Sequence, residues 1–182
     1  TNPTLTTSTL PTNASFTDNG NGTGSFGFNP DFTQAGSYNV TFYATDGSII
    51  DSEVVAITVT GTNQAPILAT IGAQSVAEGA SLNFGVTASD ADGTNPTLTT
   101  STLPTNASFT DNGNGTGSFT FNPDFTQAGS FNVTFYATDG NIIDSEVVAI
   151  TVTNTNQAPI LAAIGAQSVA EGASLNFGVT AT

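Results

Sequence analysis

The 182-residue chain has no lysine, no arginine and no histidine, and it also lacks cysteine, methionine and tryptophan. Its 14 acidic side chains therefore leave a formal charge of −14, with no cationic side chain to answer it. Without cysteine, disulfides, thiol nucleophiles and thiolate metal sites are excluded. Without histidine and lysine, the commonest general base, the commonest transition-metal ligand and the Schiff-base nucleophile are missing. A lysine–asparagine isopeptide cross-link is impossible for the same reason. Nucleic-acid phosphates would meet repulsion rather than attraction. An anionic membrane surface is disfavoured too, and no apolar run approaches the ~18 residues that suggest a membrane-spanning helix. Trypsin-like proteases find no site, which suits an extracellular or cell-surface life.

What remains is 37% apolar and includes 13 phenylalanines, enough to build a core. The rest is rich in Thr, Asn, Ser and Gly, a mixture that favours strands and turns over helices.

The chain is internally repeated. Residues 1–89 align without a gap on 94–182, at an offset of 93, and differ at only six pairs: Gly27/Thr120, Tyr38/Phe131, Ser48/Asn141, Gly61/Asn154, Thr70/Ala163 and Ser89/Thr182. A period of this length suits an array of bead-like domains rather than a solenoid.

Within one period, alternation identifies strands. "SLNFGVTA" (81–88) sets Leu82, Phe84, Val86 and Ala88 on one face, and "GSFTFNP" (117–123) does the same for Phe119 and Phe121. "FNVTFYAT" (131–138) aligns Phe131, Val133, Phe135 and Ala137; "EVVAITVT" (146–153) aligns Val148, Ile150 and Val152. Weaker strands are expected at 66–71, 74–78, 95–101 and 106–111. Turn chemistry bounds them, as in "DNGNG" (111–115) and "DG" (139–140). "DFTQAG" (124–129) is expected to form one helical turn. About seven short strands in ~90 residues predict an all-β fold of tandem immunoglobulin-like β-sandwiches. The expected units are 63–155 as a complete sandwich, 1–62 as the C-terminal part of another, and 156–182 as the N-terminal part of a third.

Each period carries eight acids: Glu78, Asp90, Asp92, Asp111, Asp124, Asp139, Asp144 and Glu146. In a sandwich, Asp90 and Asp92 follow the second main strand, and Asp139 lies on the turn between the last two. Both loops and the Asn63–Pro66 lead-in are expected at one end of the domain. Three carboxylates with nearby carbonyls would suit Ca²⁺, which takes ~6–8 hard oxygen ligands. Equally, acids in such positions serve as turn formers and solvated surface groups. Asp144 and Glu146 read as solvated edge charges. "TDNGNGTG" (110–117) fits a hairpin turn better than a calcium loop, because Gly113 stands where the second oxygen ligand should be.

The stretch "NQAPILATIGAQSVAEGASLNFGVTASDADG", with "GTGSFTFNPDFTQAGSFNVTFYATDG" and "VVAITVT" after it, resembles the bacterial immunoglobulin-like, cadherin-like repeats of large secreted and surface proteins. The likeness covers essentially the whole chain. It implies that Asp90 and Asp92 match a cadherin Asp-x-Asp ligand pair, Asp139 a later ligand, and Glu78 an early one. "TNQAP" stands where cadherins carry an Asn-Asp-Asn-x-Pro linker, so Asn63 matches a ligand and one linker carboxylate is missing. A cadherin-like topology would put Glu78 at the opposite end, facing the next junction.

A paired-carboxylate glycosidase is the sharpest enzymatic reading. It lacks aromatic sugar platforms, having no Trp and only Tyr38, Tyr43 and Tyr136. The chain is therefore expected to be non-catalytic. A structural extracellular fibre or stalk segment, with Ca²⁺ stiffening, is the leading expectation; a cell-surface adhesin or carbohydrate-binding module with a glycan ligand is the alternative.

The expected partner is the chain itself, either as a continuous tandem array or as a head-to-tail homopolymer. In the second case, Asn156, Pro159, the stretch Ser174-Leu175-Asn176-Phe177 and Val179 of one copy would complete a domain with Phe26, Phe28, Val40, Phe42, Val55 and Ile57 of another. Two periods exceed the chain by four residues, a second Asp-Ala-Asp-Gly, and a continuous array would need only those four.

Overall fold

A computed structural model describes residues 2–182. Residues 2–62 hold five strands: β1 (Thr4–Thr7), β2 (Ala14–Asp18), β3 (Gly24–Phe28), β4 (Gly36–Thr45) and β5 (Ile50–Val59). Residues 63–155 hold eight: β6 (Ile67–Leu68), β7 (Gln74–Ala77), β8 (Leu82–Ser89), β9 (Thr97–Thr100), β10 (Ala107–Asp111), β11 (Thr116–Phe121), β12 (Gly129–Thr138) and β13 (Ile143–Thr153). Every strand read from alternation in this middle unit is present.

The eight strands form two four-stranded sheets, ordered β6-β8-β11-β10 and β7-β13-β12-β9. All pairs are antiparallel except β13 with β7. The count exceeds seven because the first edge is divided: β6 joins β8 in one sheet and β7 joins β13 in the other. This is the immunoglobulin-like sandwich. Its core is the set of inward residues that period-2 alternation selects. Val86, Phe119, Phe121, Val133, Phe135, Val148 and Ile150 are each no more than 1% exposed. Burying each such side chain contributes ~1.5–3 kcal/mol. Phe135 is the hub, meeting Phe84, Phe109 and Phe119 edge-on at 5.6–5.8 Å between ring centroids.

The β10–β11 connection is the hairpin expected from "TDNGNGTG". Asp111 Oδ1 accepts the Gly113 N–H at 3.0 Å, and Gly115 takes φ +76° with no room for a Cβ, which would stand 2.7 Å from the Ala88 carbonyl oxygen. "DFTQAG" is not helical. Asp124 Oδ1 accepts the Thr126 N–H, as an N-cap would, but only one turn follows, closed by the Gln127 N–H on the Asp124 carbonyl at 3.2 Å before the chain enters β12 at Gly129.

Residues 2–62 reproduce β9–β13 strand for strand. Val40 pairs with Val55 as Val133 pairs with Val148, and Phe16 with Phe26 as Phe109 with Phe119. They form a three-stranded sheet, β1-β4-β5, and the hairpin β2-β3. Val40 is fully buried, but Phe26, Phe28, Phe42 and Ile57 are only half-buried and Val55 is 38% exposed. Residues 156–182 carry a single bridge, Leu161 to Ala181, and are exposed throughout.

Candidate functional site: the carboxylate-held junctions

With no cationic side chain, the acids are answered by backbone amides. At the N-terminal end of the middle unit, Asp92 Oδ2 accepts the Gln64 N–H at 2.7 Å, and Asp139 Oδ2 accepts the Asn63 side-chain amide at 2.8 Å. The lead-in is thus gripped by both loops. Asp139 Oδ1 also accepts the N–H groups of Asn141 and Ile142, each at 2.7 Å. The Ile142 bond first, then those from Asn141 and Asn63, hold the Asp139 carboxyl below the ordinary 3.8. Asp90 Oδ1 accepts the Asp92 N–H at 2.7 Å. The remaining oxygens, Asp90 Oδ2 and Asp92 Oδ1, are buried and have no partner.

The expected three-carboxylate cluster does not form: among the described residues, no three acids converge in a way that would hold a metal ion. Asp139 is occupied by turn amides and Asn63. Among the described residues, Asp90 and Asp92, two residues apart, each keep one buried oxygen without a partner.

Glu78 grips the opposite junction. It is 4% exposed, its Oε1 accepts the Ala128 N–H at 2.7 Å, and its Oε2 accepts the Thr155 N–H at 3.0 Å. Thr155 Oγ1 returns a bond to the Glu78 carbonyl at 3.2 Å. Buried at the sandwich edge, the Glu78 carboxyl accepts from two amides that would otherwise be left bare.

The reading of Asp144 and Glu146 as solvated charges is corrected. Asp144 Oδ2 accepts the Leu68 N–H at 2.8 Å; Glu146 accepts those of Ile71 and Gly72 at 2.8 and 3.0 Å. They tie the divided first strand, β6 and the segment before β7, to β13. The signal lay in the parity: Asp144 and Glu146 share a strand face with Val148, Ile150 and Val152, the core face. Their counterparts in the first segment, Asp51 and Glu53, are exposed. Asp51 accepts only its neighbour Ser52 N–H.

Two packed sheets with an edge strand split between them, and acids stationed at the inter-unit segments, define a tandem immunoglobulin-like module. The model of the bacterial Ig domain family matches residues 63–153, the span of all eight strands of the middle unit, and the chain belongs to that family. Such domains are typically non-catalytic and are typically found in surface or secreted proteins. No curated protein matches the chain. Among solved structures, the chain is similar to an endo-fucoidan hydrolase of glycoside hydrolase family 107, at 21% identity and TM-score 0.46, over 85% of this chain and 24% of that one. It is also similar to a chimeric titin Z1Z2-Z1Z2 tandem, at 14% identity and TM-score 0.40, over 84% and 85%. A third similarity is to the twitchin kinase region from C. elegans, at 22% identity and TM-score 0.39, over 49% and 16%. The chain spans about a quarter of the length of the fucoidan hydrolase.

Proposed function

We propose that the chain is a spacer: a segment of an extracellular fibre or stalk whose tandem sandwiches are held in line by carboxylates at each junction. The observation that carries this reading is the absence of slack in "TNQ". Thr155 is tied to its own unit by Glu78, while Asn63 and Gln64 are tied to theirs by Asp139 and Asp92. Thr62 is the repeat counterpart of Thr155 and directly precedes Asn63. In an array, the residue gripped by one unit is therefore followed at once by the two gripped by the next. Such a joint resists bending.

Within this chain the Thr62–Asn63 joint carries the grip on Asn63 and Gln64, and spin labels at Ser37→Cys and Ser130→Cys test that grip by pulsed electron resonance. A narrow distance distribution is expected, broadened by Asn63→Ala together with Asp92→Ala. Equal breadth in both proteins would show that the grip on Asn63 and Gln64 does not stiffen the joint and would reject the spacer built on it.

Calcium at the same junction is part of the proposal, and the residues fit it. Asp90 Oδ2 and Asp92 Oδ1, on residues two apart in one loop, are buried and unpartnered in a chain with no cationic side chain. Hard oxygens of this kind, lacking a donor, suit a divalent cation. Asp90 and Asp92 would hold the ion, which would supply the missing positive charge and tighten the loop that grips Gln64. Glu78 and Asp139 stand outside this site, since backbone and side-chain amides already occupy them.

A further inference from the structure

The tip of the β10–β11 hairpin reads Asp111-Asn112-Gly113-Asn114-Gly115-Thr116, so each of its two asparagines precedes a glycine. Both asparagines are exposed. A glycine in the next position has no Cβ to shield its backbone nitrogen from the asparagine side chain. That nitrogen can attack the side-chain carbonyl carbon, Cγ, and close a five-membered ring. By sequence the two sites are alike. The fold makes them different.

At Asn112 the attacking amide is occupied. The Gly113 N–H donates to Asp111 Oδ1 at 3.0 Å, and the Asn112 side-chain amide donates to Thr116 Oγ1 at 2.8 Å. Removing the Gly113 proton would set an amide anion against that carboxylate, which like-charge repulsion opposes. At Asn114 the electrophile is prepared instead. Its Oδ1 accepts the Thr116 N–H at 3.1 Å and the Thr116 hydroxyl at 2.6 Å. Both donors stand where negative charge gathers on Oδ1 as Cγ becomes tetrahedral, the arrangement of an oxyanion hole. The Gly115 N–H has no protein acceptor among the described residues. The β2–β3 hairpin repeats the pattern. The Gly20 N–H is held by Asp18 Oδ1 at 2.9 Å, and Asn21 Oδ1 accepts the Thr23 N–H at 3.1 Å and the Thr23 hydroxyl at 2.6 Å.

We infer that Asn114, with Asn21 as its repeat counterpart, is a site of self-catalysed deamidation, and that Thr116 is its positioning residue. The Gly115 nitrogen bonds to Asn114 Cγ and gives its proton to solvent. The Cγ–Nδ2 bond breaks, and Nδ2 leaves as ammonia with a proton from water. Water then adds to one of the two carbonyls of the succinimide and reopens it, to aspartate or to isoaspartate. The net change is water consumed and ammonia released. Each event adds one carboxylate to an already acidic chain. The isoaspartate route also inserts a methylene into the main chain beside Gly115, which is buried at φ +76° and accepts the Ala88 N–H through its carbonyl at 2.8 Å. That product loosens β11 from β8 two residues before Asp90, so the hairpin tip sets a chemical lifetime for the sandwich.

The test uses the full 182-residue chain, held at mildly alkaline pH and mapped by mass spectrometry across residues 17–28 and 110–121, peptides that differ at Gly27/Thr120. Native protein should convert Asn114 severalfold faster than Asn112, with isoaspartate among the products and faster hydrogen exchange at the Ala88 amide as they accumulate. In urea, where the hairpin is lost, the two asparagines should react at similar rates. Thr116→Val removes the hydroxyl and keeps the N–H, and should bring the native ratio down toward one. Thr116→Ser should restore it. The comparison of native and urea-treated wild type needs no variant, so it decides the matter even where Thr116→Val fails to fold. Equal rates at the two native sites, faster loss at Asn112, or a preference for Asn114 that survives in urea would overturn the inference. A folded Thr116→Val that keeps the full preference would remove Thr116 from it.

Discussion

Phe84 and Phe119 stack with ring centroids 4.8 Å apart and an interplanar angle of 27°. Their repeat counterparts are Phe177 and Phe26. Phe26 keeps its edge-on contact with Phe42 at 5.7 Å, matching Phe119 with Phe135 at 5.6 Å, but Phe177 is 51% exposed. One sequence thus appears filled and unfilled in a single molecule. Differences between the two copies isolate what the first three strands contribute.

Phe84→Ala should therefore destabilise the middle unit by ~2–4 kcal/mol, through lost apolar burial and the cavity left beside Phe119 and Phe135. Phe177→Ala should leave the unfolding of the monomer unchanged, since that ring is exposed. Urea unfolding of the two variants at dilute concentration measures both. Equal losses would mean that the tail packs within its own chain.

The same logic separates the carboxylates. Glu146→Ala leaves the Ile71 and Gly72 amides without their acceptor and should cost ~1–3 kcal/mol. Glu53→Ala should be neutral in the monomer. Scanning calorimetry of the two variants beside the wild type would show the contrast.

Acid should act through Asp139. Its folded-state carboxyl lies below the ordinary 3.8 because the Ile142 and Asn141 amides and Asn63 favour the ionised form. Its contribution to stability is complete above that ordinary value and is lost as pH falls through the lower folded one. Asp18, Asp31, Asp46 and Asp124 shift in the same direction. Protonation also relieves the repulsion within a chain of charge −14, so raw melting curves mix two opposite trends. Comparison with Asp139→Asn separates them. The melting-temperature gap between wild type and variant should narrow between about pH 7 and about pH 2. A gap independent of pH would show that the Asp139 charge contributes nothing.

The sandwich was legible because its information is local. Alternation at Leu82, Phe84, Val86 and at Phe131, Val133, Phe135 states which face is inward without reference to any partner. The acids were less legible because their partners are distant backbone amides: Ile71 lies 75 residues from Glu146, and Thr155 lies 77 from Glu78. Composition records an acid but not the donor that meets it. For Asp144 and Glu146 the clue existed in their parity with Val148, yet charge suggested solvent. The segment 124–129 makes only a reverse turn because β12 begins at Gly129, directly after the Gln127 bond to the Asp124 carbonyl, a limit set by sheet pairing and not by the segment itself.

The loop "SDADG" bears on the last prediction. Asp90 and Asp92 each use one oxygen on a backbone amide and bury the other without a partner. An unsatisfied buried oxygen costs ~1–3 kcal/mol, and more when it is charged. A cation that binds only the folded loop must raise the melting temperature, by an amount that grows with its concentration above the dissociation constant. For an extracellular module that constant is expected at about 10⁻⁴–10⁻³ M. Millimolar Ca²⁺ should therefore raise the melting temperature over EGTA-treated protein by several degrees, about 1 kcal/mol of stabilisation in a domain this size. Asp92→Asn should abolish the calcium response. Asp144→Asn, which alters an acid that has no free buried oxygen, should preserve it. The same melting temperature in Ca²⁺ and EGTA would mean that the pair is held by the fold alone. A response retained in Asp92→Asn would place the ion elsewhere.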